Sequence, residues 1–454
     1  MSKKFDYEYV VIGSGAAGSA AALLAAGLGV RTAIVEADKW GGSTLNYRDV
    51  PYAAALGFAE KYFEAVNGAR FGMSSSTLRY NYPTVLNWQA TAVRRAGGGN
   101  HKIFENAGID CYHGHASFIN SHELVIDDTQ ISGEKFLLAT GSTLSVNGIA
   151  GTDTVSCWTP NTVLRMPKLP KAMLIVGGGS TGCEIAEYFG ALGVQVLLAE
   201  SEERLLPKED PEVSTVIEDF LRKHFQVEVL TNSRVVALTQ DLKSKQVIFV
   251  RDGQEKSVRV DAIVLATPPE PATDFGLENA GVKYSFDGVK VNSNLRTSCG
   301  HIWAAGDILG GESSTEKATY EAKLATMNAI KKAGNNVNYT GFVRMTNTFP
   351  QVAKVGMNEV DFGPQGEKRK VSIIPIDSIS AANTNDFRDG FVKMTADTKG
   401  QVLGATVVAP HADLIVQEIS LIIRTGMRVA EIAAAPHVAT SWDEAVRIAA
   451  RELS

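Results

Sequence analysis

A glycine-rich hexapeptide occurs twice in the chain, each time with an acidic residue at the same distance behind it. Residues 13–18 read Gly-Ser-Gly-Ala-Ala-Gly and follow a short apolar run, and Glu36 ends the next apolar run. Residues 177–182 read Gly-Gly-Gly-Ser-Thr-Gly in the same setting, and Glu200 stands where Glu36 stands in the first copy. Self-similarity of this kind predicts two copies of one strand–helix–strand unit.

Each part of the pattern has a physical role in binding a dinucleotide. The first glycine permits a tight strand-to-helix turn, the second lets the backbone approach a pyrophosphate, and the third lets helix and strand pack closely. The pyrophosphate binds the free N–H groups at the helix start, and the acid accepts hydrogen bonds from ribose hydroxyls. The residues assigned to these roles are Gly13, Gly15, Gly18 and Glu36 at a first site, and Gly177, Gly179, Gly182 and Glu200 at a second.

Two dinucleotide sites in one chain predict an electron relay between two cofactors. At the second site Glu200 favours NAD over NADP, because a carboxylate repels a 2′-phosphate. Arg204 lies four residues further on, and a guanidinium there weakens this preference if it reaches the phosphate.

Composition excludes several other classes of protein. The chain has 454 residues and a net charge of −6, which gives no reason to expect a nucleic acid or a membrane surface as partner. The amino terminus has no apolar leader and no segment is apolar enough to span a membrane, so a cytoplasmic protein is expected. The spacing of the four cysteines indicates neither a disulfide scaffold nor a zinc site, and no metal site is predicted.

Together with further segments, the two motifs make the chain resemble the pyridine nucleotide–disulfide oxidoreductase family. Residues 114–118 are similar to its adenine-side loop, residues 138–142 to its Ala-Thr-Gly segment, residues 297–307 to its second FAD motif, and residues 348–356 to the start of its dimerisation domain. The resemblance implies FAD at the first glycine motif, NAD(H) at the second, and a homodimer. The further FAD contacts that it implies are Gly42, Ser43, Ala116, Thr140, Gly141, Gly306 and Asp307, and Glu184 is a further NAD contact.

The architecture implied by the resemblance is α/β. Two Rossmann-like dinucleotide-binding domains, one for FAD and one for NAD, are followed by a C-terminal α+β dimerisation domain. The predicted boundaries place the FAD domain at residues 1–148 and 267–340, the NAD domain at 149–266, and the interface domain at 341–454.

The chain departs from the family where the family's redox disulfide lies. The family segment reads Gly-Gly-Thr-Cys-Leu-Asn-Val-Gly-Cys-Ile-Pro-Ser-Lys, and residues 41–53 align with it without a gap. Thr44 and Asp49 then stand at the two cysteines, and Ala53 stands at the lysine beside the flavin. The glutamate that usually pairs with this lysine is present as Glu184.

The family's acid/base pair is altered as well. Its motif reads His-Ala-His-Pro-Thr-x-Ser-Glu, in which the second His and the Glu form the pair. In the gap-free alignment Ala439 replaces this histidine and Glu444 is kept, which makes His437 structural. A rival alignment, shifted by two residues, makes His437 the base and puts Trp442 in place of the glutamate.

These replacements change the predicted chemistry. Neither threonine nor aspartate takes part in thiol–disulfide exchange, so electrons from NADH would leave from the flavin itself. We predict an FAD-dependent NAD(P)H oxidoreductase that reduces a small acceptor such as a quinone, dioxygen or a metal ion. The catalytic positions assigned by the resemblance are Thr44, Asp49, Glu184 and Glu444. Two alternatives stay open: an enzyme similar to the soluble transhydrogenase, which Glu200 disfavours, and a degenerate homologue that binds its cofactors for structure or regulation.

Overall fold

A computed structural model of the chain describes residues 4–74, 78–146, 148–241, 244–357, 361 and 369–454. The chain divides into two compact units, each built from three segments. The first unit comprises Met1–Ala54, Pro83–Ser145 and Pro268–Tyr339, and the second comprises Ala55–Tyr82, Val146–Thr267 and Thr340–Ser454. The finer division into three domains stays a prediction.

The elements are numbered along the chain. The strands are β1 Tyr7–Ile12, β2 Thr32–Glu36, β3 Asp110–His113, β4 Ala116–Asn120, β5 Glu123–Ile126, β6 Thr129–Leu138, β7 Ser142–Leu144, β8 Ala172–Val176, β9 Gln195–Ala199, β10 Glu228–Leu230, β11 Ser233–Gln240, β12 Lys245–Arg251, β13 Gln254–Val260, β14 Ala262–Leu265, β15 Pro269–Pro271, β16 Tyr284–Ser285, β17 Gly288–Val289, β18 Ile302–Ala304, β19 Val343–Thr346, β20 Gln351–Gly356, β21 Arg369–Pro375, β22 Phe391–Asp397 and β23 Val402–Ala409. The α-helices are α1 Ala16–Gly27, α2 Gly42–Asn46, α3 Asp49–Val66, α4 Tyr82–Arg95, α5 Lys102–Asn106, α6 Ser180–Ala191, α7 Pro211–Phe225, α8 Thr315–Lys331, α9 Ser380–Thr384, α10 Ala412–Thr425, α11 Val429–Ala434 and α12 Glu444–Leu453. Short 3-10 turns span Gly68–Phe71, Val163–Arg165, Asp307–Leu309 and Ile376–Ser378.

A seven-stranded sheet forms the centre of the first unit. Its strand order is β3-β2-β1-β6-β5-β4, and β18 also pairs with β6. Strands β1, β2, β3, β6 and β18 run parallel, whereas β4 and β5 extend the sheet as an antiparallel hairpin. Val10 and Val11 of β1 are both fully buried, as expected of a parallel strand whose two faces are covered. The alanine-rich α1 packs against α8 over one of these faces.

The second unit repeats the glycine-loop topology in a smaller sheet. Its parallel strands have the order β10-β9-β8-β14, and the succession β8–α6–β9 matches β1–α1–β2 of the first unit. Helices α1 and α6 each have 12 residues and begin directly after the second glycine of their motif. This confirms the predicted α/β fold with two Rossmann-like units.

Two antiparallel sheets complete the second unit. Strands β11, β12 and β13 form a three-stranded meander. The C-terminal segment forms a five-stranded sheet of order β19-β20-β23-β22-β21, against which α10 and α12 pack. Among the described residues, no helix has both the length and the apolar character needed to cross a lipid bilayer.

Candidate functional site

The first glycine motif forms the turn between β1 and α1. Gly13 has a φ of +98°, and a Cβ there would lie 2.3 Å from the carbonyl oxygen of Ala139. A Cβ on Gly18 would lie 1.8 Å from the carbonyl oxygen of Gly13, so packing requires both glycines. Gly15 differs, because a Cβ there would meet nothing within 4 Å. The open space in front of Gly15, at the start of α1, fits a ligand phosphate bound by the free N–H groups.

The second motif lies between β8 and α6, and its three glycines have the same roles as those of the first. A Cβ on Gly177 would lie 2.6 Å from the carbonyl oxygen of Ala266, and one on Gly182 would lie 1.8 Å from that of Gly177. A Cβ on Gly179, again the residue at the helix start, would meet nothing within 4 Å. Both loops therefore have the shape that a pyrophosphate requires.

The acids that follow the motifs are buried and held by backbone N–H groups. Glu36 is 9% exposed, and its carboxylate accepts from the backbone N of Ser14 at 2.9 Å and from that of Asp38 at 2.8 Å. The Ser14 hydroxyl also donates to Glu36, at 2.5 Å. Glu200 accepts from the backbone N of Gly178 at 2.6 Å in the same way. Each carboxylate is thus oriented beside its glycine loop, as ribose binding requires.

The other residues assigned to FAD belong to loops of the first unit that meet the glycine motif. A Cβ on Gly42 would lie 2.5 Å from the Cα of Gly15, and one on Gly306 would lie 3.4 Å from the Cβ of Ala17. Asp307 accepts from the Ser142 hydroxyl at 3.1 Å. The remaining assigned residues are Ser43, which is exposed, Ala116 at the start of β4, Thr140, whose hydroxyl donates to the Ala272 carbonyl at 2.7 Å, and Gly141, with a φ of +74°.

The sequence contains no signal for Glu321, which supports the Asp307 loop. Glu321 is fully buried in α8, and its Oε2 accepts from the backbone N of Gly306 at 2.8 Å. The hydroxyl of Tyr339 donates to its other carboxylate oxygen at 2.6 Å. Helix α8 therefore fixes the loop that presents Asp307.

Thr44 and Asp49, which the sequence alignment assigned as catalytic positions, are joined through a third residue. The hydroxyls of Thr44 and Thr315 lie 2.9 Å apart, and Thr315 donates to Oδ2 of Asp49 at 2.5 Å. Because the Thr315 proton is directed at Asp49, Thr44 donates to Thr315. Two hydroxyls in series thus end on a carboxylate, in a chain of hydrogen bonds without sulfur.

The electrostatic setting of Asp49 favours retention of a proton. Its side chain opens to solvent on one side, while dense protein on the other sides desolvates the carboxyl and raises its pKa. The hydrogen bond from Thr315 opposes this rise, and the negative charge of Glu316 adds to it. The positive charge of Arg48 lowers the pKa of Asp49, and this guanidinium lies 5.2 Å from the centre of the Tyr52 ring.

In the second unit, Glu184 follows the second motif on α6. It is 5% exposed, and its Oε1 accepts from the backbone N of Asn347 at 2.8 Å and from the side-chain Nδ2 at 3.2 Å. Asn347 thus provides Glu184 with two neutral donors. Asn347 was not among the predicted site residues.

Glu187, one turn further along α6, is a buried carboxyl whose ionisation we expect to destabilise the fold. It is 1% exposed and accepts from the backbone N of Phe349 at 2.7 Å, and burial raises its pKa well above the ordinary 4.5. As the pH rises, the Glu187 carboxyl ionises in the unfolded chain before it ionises in the folded protein. Above pH 4.5 this carboxyl therefore lowers the free energy of unfolding progressively. Glu187→Gln should therefore raise the melting temperature at pH 8 by about 2–4 °C, equivalent to about 1 kcal/mol.

Melting curves of the wild type and Glu187→Gln between pH 4 and pH 8 measure this effect. The gain should shrink towards zero as the pH falls through 4.5, where the carboxyl is protonated in both the folded and the unfolded state. An equal gain at every pH would contradict the assignment.

Glu444 and His437, the candidates for the family's acid/base pair, each have another partner. Glu444 begins α12, where its Oε2 accepts from Nε of Arg447 at 3.1 Å, and this hydrogen bonding lowers its pKa. Nε2 of His437 lies 3.1 Å from Oε1 of Glu418. Glu444 is thus ion-paired, and the choice between the two alignments stays a prediction.

All four cysteines are free thiols. Cys183 is fully buried in α6, and its thiol donates to the Gly178 carbonyl at 3.4 Å. Burial raises the pKa of the Cys183 and Cys157 thiols, and it raises that of Cys111 to about 11. At neutral pH these three side chains are therefore thiols rather than nucleophilic thiolates.

Comparison with known protein families identifies the family in which these motifs occur together. The sequence profile described as pyridine nucleotide-disulphide oxidoreductase matches residues 7–322, and the profile of the dimerisation domain of these enzymes matches residues 316–450. The chain belongs to the pyridine nucleotide–disulfide oxidoreductase family. Members of this family are FAD-dependent and use NAD(P)H as substrate or cofactor, which confirms the predicted cofactors. The match to the dimerisation domain supports a homodimer.

Individual relatives cover nearly the whole chain. Mercuric reductase from Streptomyces lividans is 30% identical over 455 residues, which are 98% of this chain and 96% of the relative. Dihydrolipoyl dehydrogenase from Bacillus subtilis is 28% identical over 440 residues, which are 95% of this chain and 93% of the relative. Mercuric reductase from Bacillus cereus is 29% identical over 432 residues, which are 94% of this chain and 68% of the relative.

Solved structures show the same fold. The HOCl-induced flavoprotein disulfide reductase RclA from Escherichia coli superposes with a TM-score of 0.88 at 24% identity, covering 99% of this chain and 100% of RclA. LpdA from Mycobacterium tuberculosis superposes with a TM-score of 0.87 at 23% identity, covering 98% of this chain and 99% of LpdA.

Proposed function

We propose that the protein is an FAD-dependent NADH oxidoreductase that reduces a small acceptor directly, without a redox disulfide. The observation that carries this proposal is the hydrogen-bonded chain of Thr44, Thr315 and Asp49. It occupies the positions that align with the family's redox-active cysteines. A hydroxyl and a carboxylate do not undergo thiol–disulfide exchange, so this chain of side chains moves protons and not electrons.

Different residues would bind FAD and NADH. In the first unit the loop at Gly15 holds the pyrophosphate of FAD, Glu36 holds a ribose and Asp307 the ribityl hydroxyls. In the second unit the loop at Gly179 and Glu200 bind NADH in the corresponding way. Bound FAD would accept a hydride from NADH and return two electrons to the acceptor.

The raised pKa of Asp49 indicates what kind of acceptor suits the site. Quinones and dioxygen take up protons together with electrons, and a carboxyl with a raised pKa is better suited to supply one than an ordinary aspartate. The hydroxyl of Thr315 connects Asp49 to Thr44, and both hydroxyls donate towards Asp49. Transfer of a proton from Asp49 to Thr44 would therefore require the two hydroxyls to rotate.

An acceptor screen with a matched pair of variants tests the proposal. The FAD-loaded protein is reduced with NADH without oxygen and then mixed with quinones, dioxygen and ferric or mercuric ions. Thr315→Val removes the linking hydroxyl and should slow reoxidation by a quinone at least about tenfold, because general acid catalysis contributes that much or more. Thr319→Val, one turn further along α8, is the control and should reoxidise like the wild type.

Two results would overturn this reading of the site. A protein that no acceptor reoxidises would favour the regulatory alternative. Equal quinone rates for Thr315→Val and the wild type would remove the proton-transfer role from the chain of hydroxyls.

The surroundings of Glu200 strengthen the preference for NADH. Arg204, the nearby cation in the sequence, is directed elsewhere: its guanidinium donates to the carbonyl oxygens of Pro207 and Glu209 at 2.8 and 2.7 Å and to the Ser214 hydroxyl at 3.0 Å. These bonds occupy Arg204 within its own loop. It does not offset the carboxylate of Glu200.

We therefore expect NADH to reduce the enzyme at least about tenfold faster than NADPH, a difference of about 1.4 kcal/mol in transition-state free energy. Stopped-flow absorbance at low nucleotide concentration measures the ratio of the two rate constants. Glu200→Gln should lower this ratio, whereas Glu203→Gln, at an exposed neighbouring position, should leave it nearly unchanged. Equal rates with both nucleotides in the wild type would instead favour the transhydrogenase alternative.

A further inference from the structure

Three metal-ligating side chains converge in the second unit. Glu418 lies on α10, His437 follows α11, and Asp443 immediately precedes α12. One ligand atom from each residue lies within 4.8 Å of the other two. The set consists of one imidazole nitrogen and two carboxylate oxygens, contributed by three separate elements.

His437 is oriented as a metal-binding imidazole would be. Its side chain is 5% exposed, and Nδ1 lies 3.2 Å from the carbonyl oxygen of Ala435. A carbonyl only accepts hydrogen bonds, so Nδ1 carries a proton and Nε2 of the neutral ring carries the lone pair. Histidines that bind metals show this arrangement, with the second ring nitrogen donating to a backbone carbonyl or a carboxylate.

The lone pair of His437 points at a carboxylate. Nε2 lies 3.1 Å from Oε1 of Glu418, and both atoms are acceptors when the ring is neutral and the carboxyl is ionised. A proton or a metal cation must therefore lie between them. The carboxylate of Asp443 lies beside this pair, so a divalent cation would bring together one imidazole and two carboxylates.

We propose that Glu418, His437 and Asp443 form a binding site for one divalent transition-metal cation, with Zn²⁺ and Mn²⁺ as the ions that fit it. One imidazole with two carboxylates suits these ions better than Mg²⁺ or Ca²⁺, which prefer oxygen ligands alone. Metal–ligand bonds of about 2.0–2.2 Å place adjacent ligand atoms about 3–3.5 Å apart. The pair of Glu418 and His437 already has this separation. Three protein ligands leave coordination positions open for water or a small anion.

The sequence does not indicate this site, because its three ligands come from different elements. The spacing of the cysteines in the chain likewise predicts no metal site. Asp443 is kept in place by the hydroxyl of Ser441, which donates to its Oδ1. Its Oδ2 is the second carboxylate oxygen of the residue and leaves Asp443 able to bind a cation while this bond persists.

Metal titration of the FAD-loaded protein tests the proposal. The protein is stripped with a chelator, its cysteines are alkylated to remove thiol ligands, and Zn²⁺ is titrated by calorimetry at neutral pH. We expect one saturable site per chain and at least tenfold weaker binding in His437→Gln and in Asp443→Asn. His411→Gln and Asp413→Asn change the same residue types outside the cluster and should bind like the wild type.

Three results would overturn the proposal. These are a wild type without saturable Zn²⁺ binding, cluster variants with unchanged affinity, and displacement of Zn²⁺ by equal concentrations of Mg²⁺ or Ca²⁺. Melting curves and the flavin absorbance show whether each variant is folded. If His437→Gln does not fold, Asp443→Asn decides, and paramagnetic resonance of Mn²⁺ provides a second measurement of the same site.

Discussion

Replacing Gly15 with leucine should give a folded protein that no longer binds FAD. A Cβ at this position meets no protein atom within 4 Å, so the first atom of the added side chain does not collide with β1 or α1. The side chain instead fills the space in front of the helix start, where the N–H groups would hold the pyrophosphate. We expect FAD affinity to fall at least about a hundredfold, which corresponds to about 2.7 kcal/mol.

The control for this variant lies at the other end of the same helix. A Cβ on Gly27 also meets nothing within 4 Å, so Gly27→Leu adds the same side chain to α1 away from the loop. The flavin absorbance of the purified proteins and a titration of each with FAD compare the two variants. A yellow Gly15→Leu protein with normal affinity would show that the pyrophosphate lies elsewhere.

Alkylation of the three cysteines that are only partly buried, Cys111, Cys157 and Cys299, should leave the transfer of electrons from NADH to the acceptor largely intact. Cys111, Cys157 and Cys183 have thiols whose pKa is raised, and the proposed function assigns no electron-transfer role to any thiol. The wild type reduced by NADH should accordingly lack the long-wavelength absorbance that arises when a thiolate contacts the flavin. Disulfide substrates should not be turned over.

A double variant provides the positive control for this prediction. The side chains of Thr44 and Asp49 converge on one hydroxyl, that of Thr315, at 2.9 and 2.5 Å. Because the flanking sequence of the family segment is kept, we expect Thr44→Cys combined with Asp49→Cys to form a disulfide and to gain the charge-transfer absorbance on reduction. Turnover of disulfides should stay low if the gap-free alignment holds, because Ala53 and Ala439 then stand at the lysine and histidine of the family. Charge-transfer absorbance in the unmodified protein, or inactivation by alkylation, would contradict the proposed function.

The parts of the site that the sequence predicts are those that local sterics determine. Gly13 and Gly18 are required because a Cβ at either position would collide with backbone within the same strand–turn–helix unit or the adjacent strand end. Glu36 follows from the same local unit, since β2 runs beside β1 and ends at the glycine loop. Such constraints act over a few residues and therefore produce a pattern that can be recognised in the sequence.

The partners of the catalytic positions could not be predicted in this way. Thr315 is 271 residues from Thr44, and Asn347 is 163 residues from Glu184. These contacts depend on how distant segments fold together, and a threonine or an asparagine in isolation carries no signal for them. His437 was visible in the sequence, but its pairing with Glu418 emerges only when α10 and the segment after α11 are placed side by side.

The position of β18 in the sequence determines when the first sheet can be completed during synthesis. It completes the parallel part of the first sheet by pairing with β6, yet strands β8 to β14 of the second unit are translated between these two strands. At translation rates of roughly 5–20 residues per second, about 8–30 s pass between the synthesis of β6 and that of its partner β18. During that interval an edge bearing the apolar Phe136 and Leu137 has no neighbour from β18, and such edges are prone to pair with other chains. A fragment that ends before β18 should therefore aggregate on release from the ribosome, whereas the second unit's parallel sheet can form while the first is still incomplete.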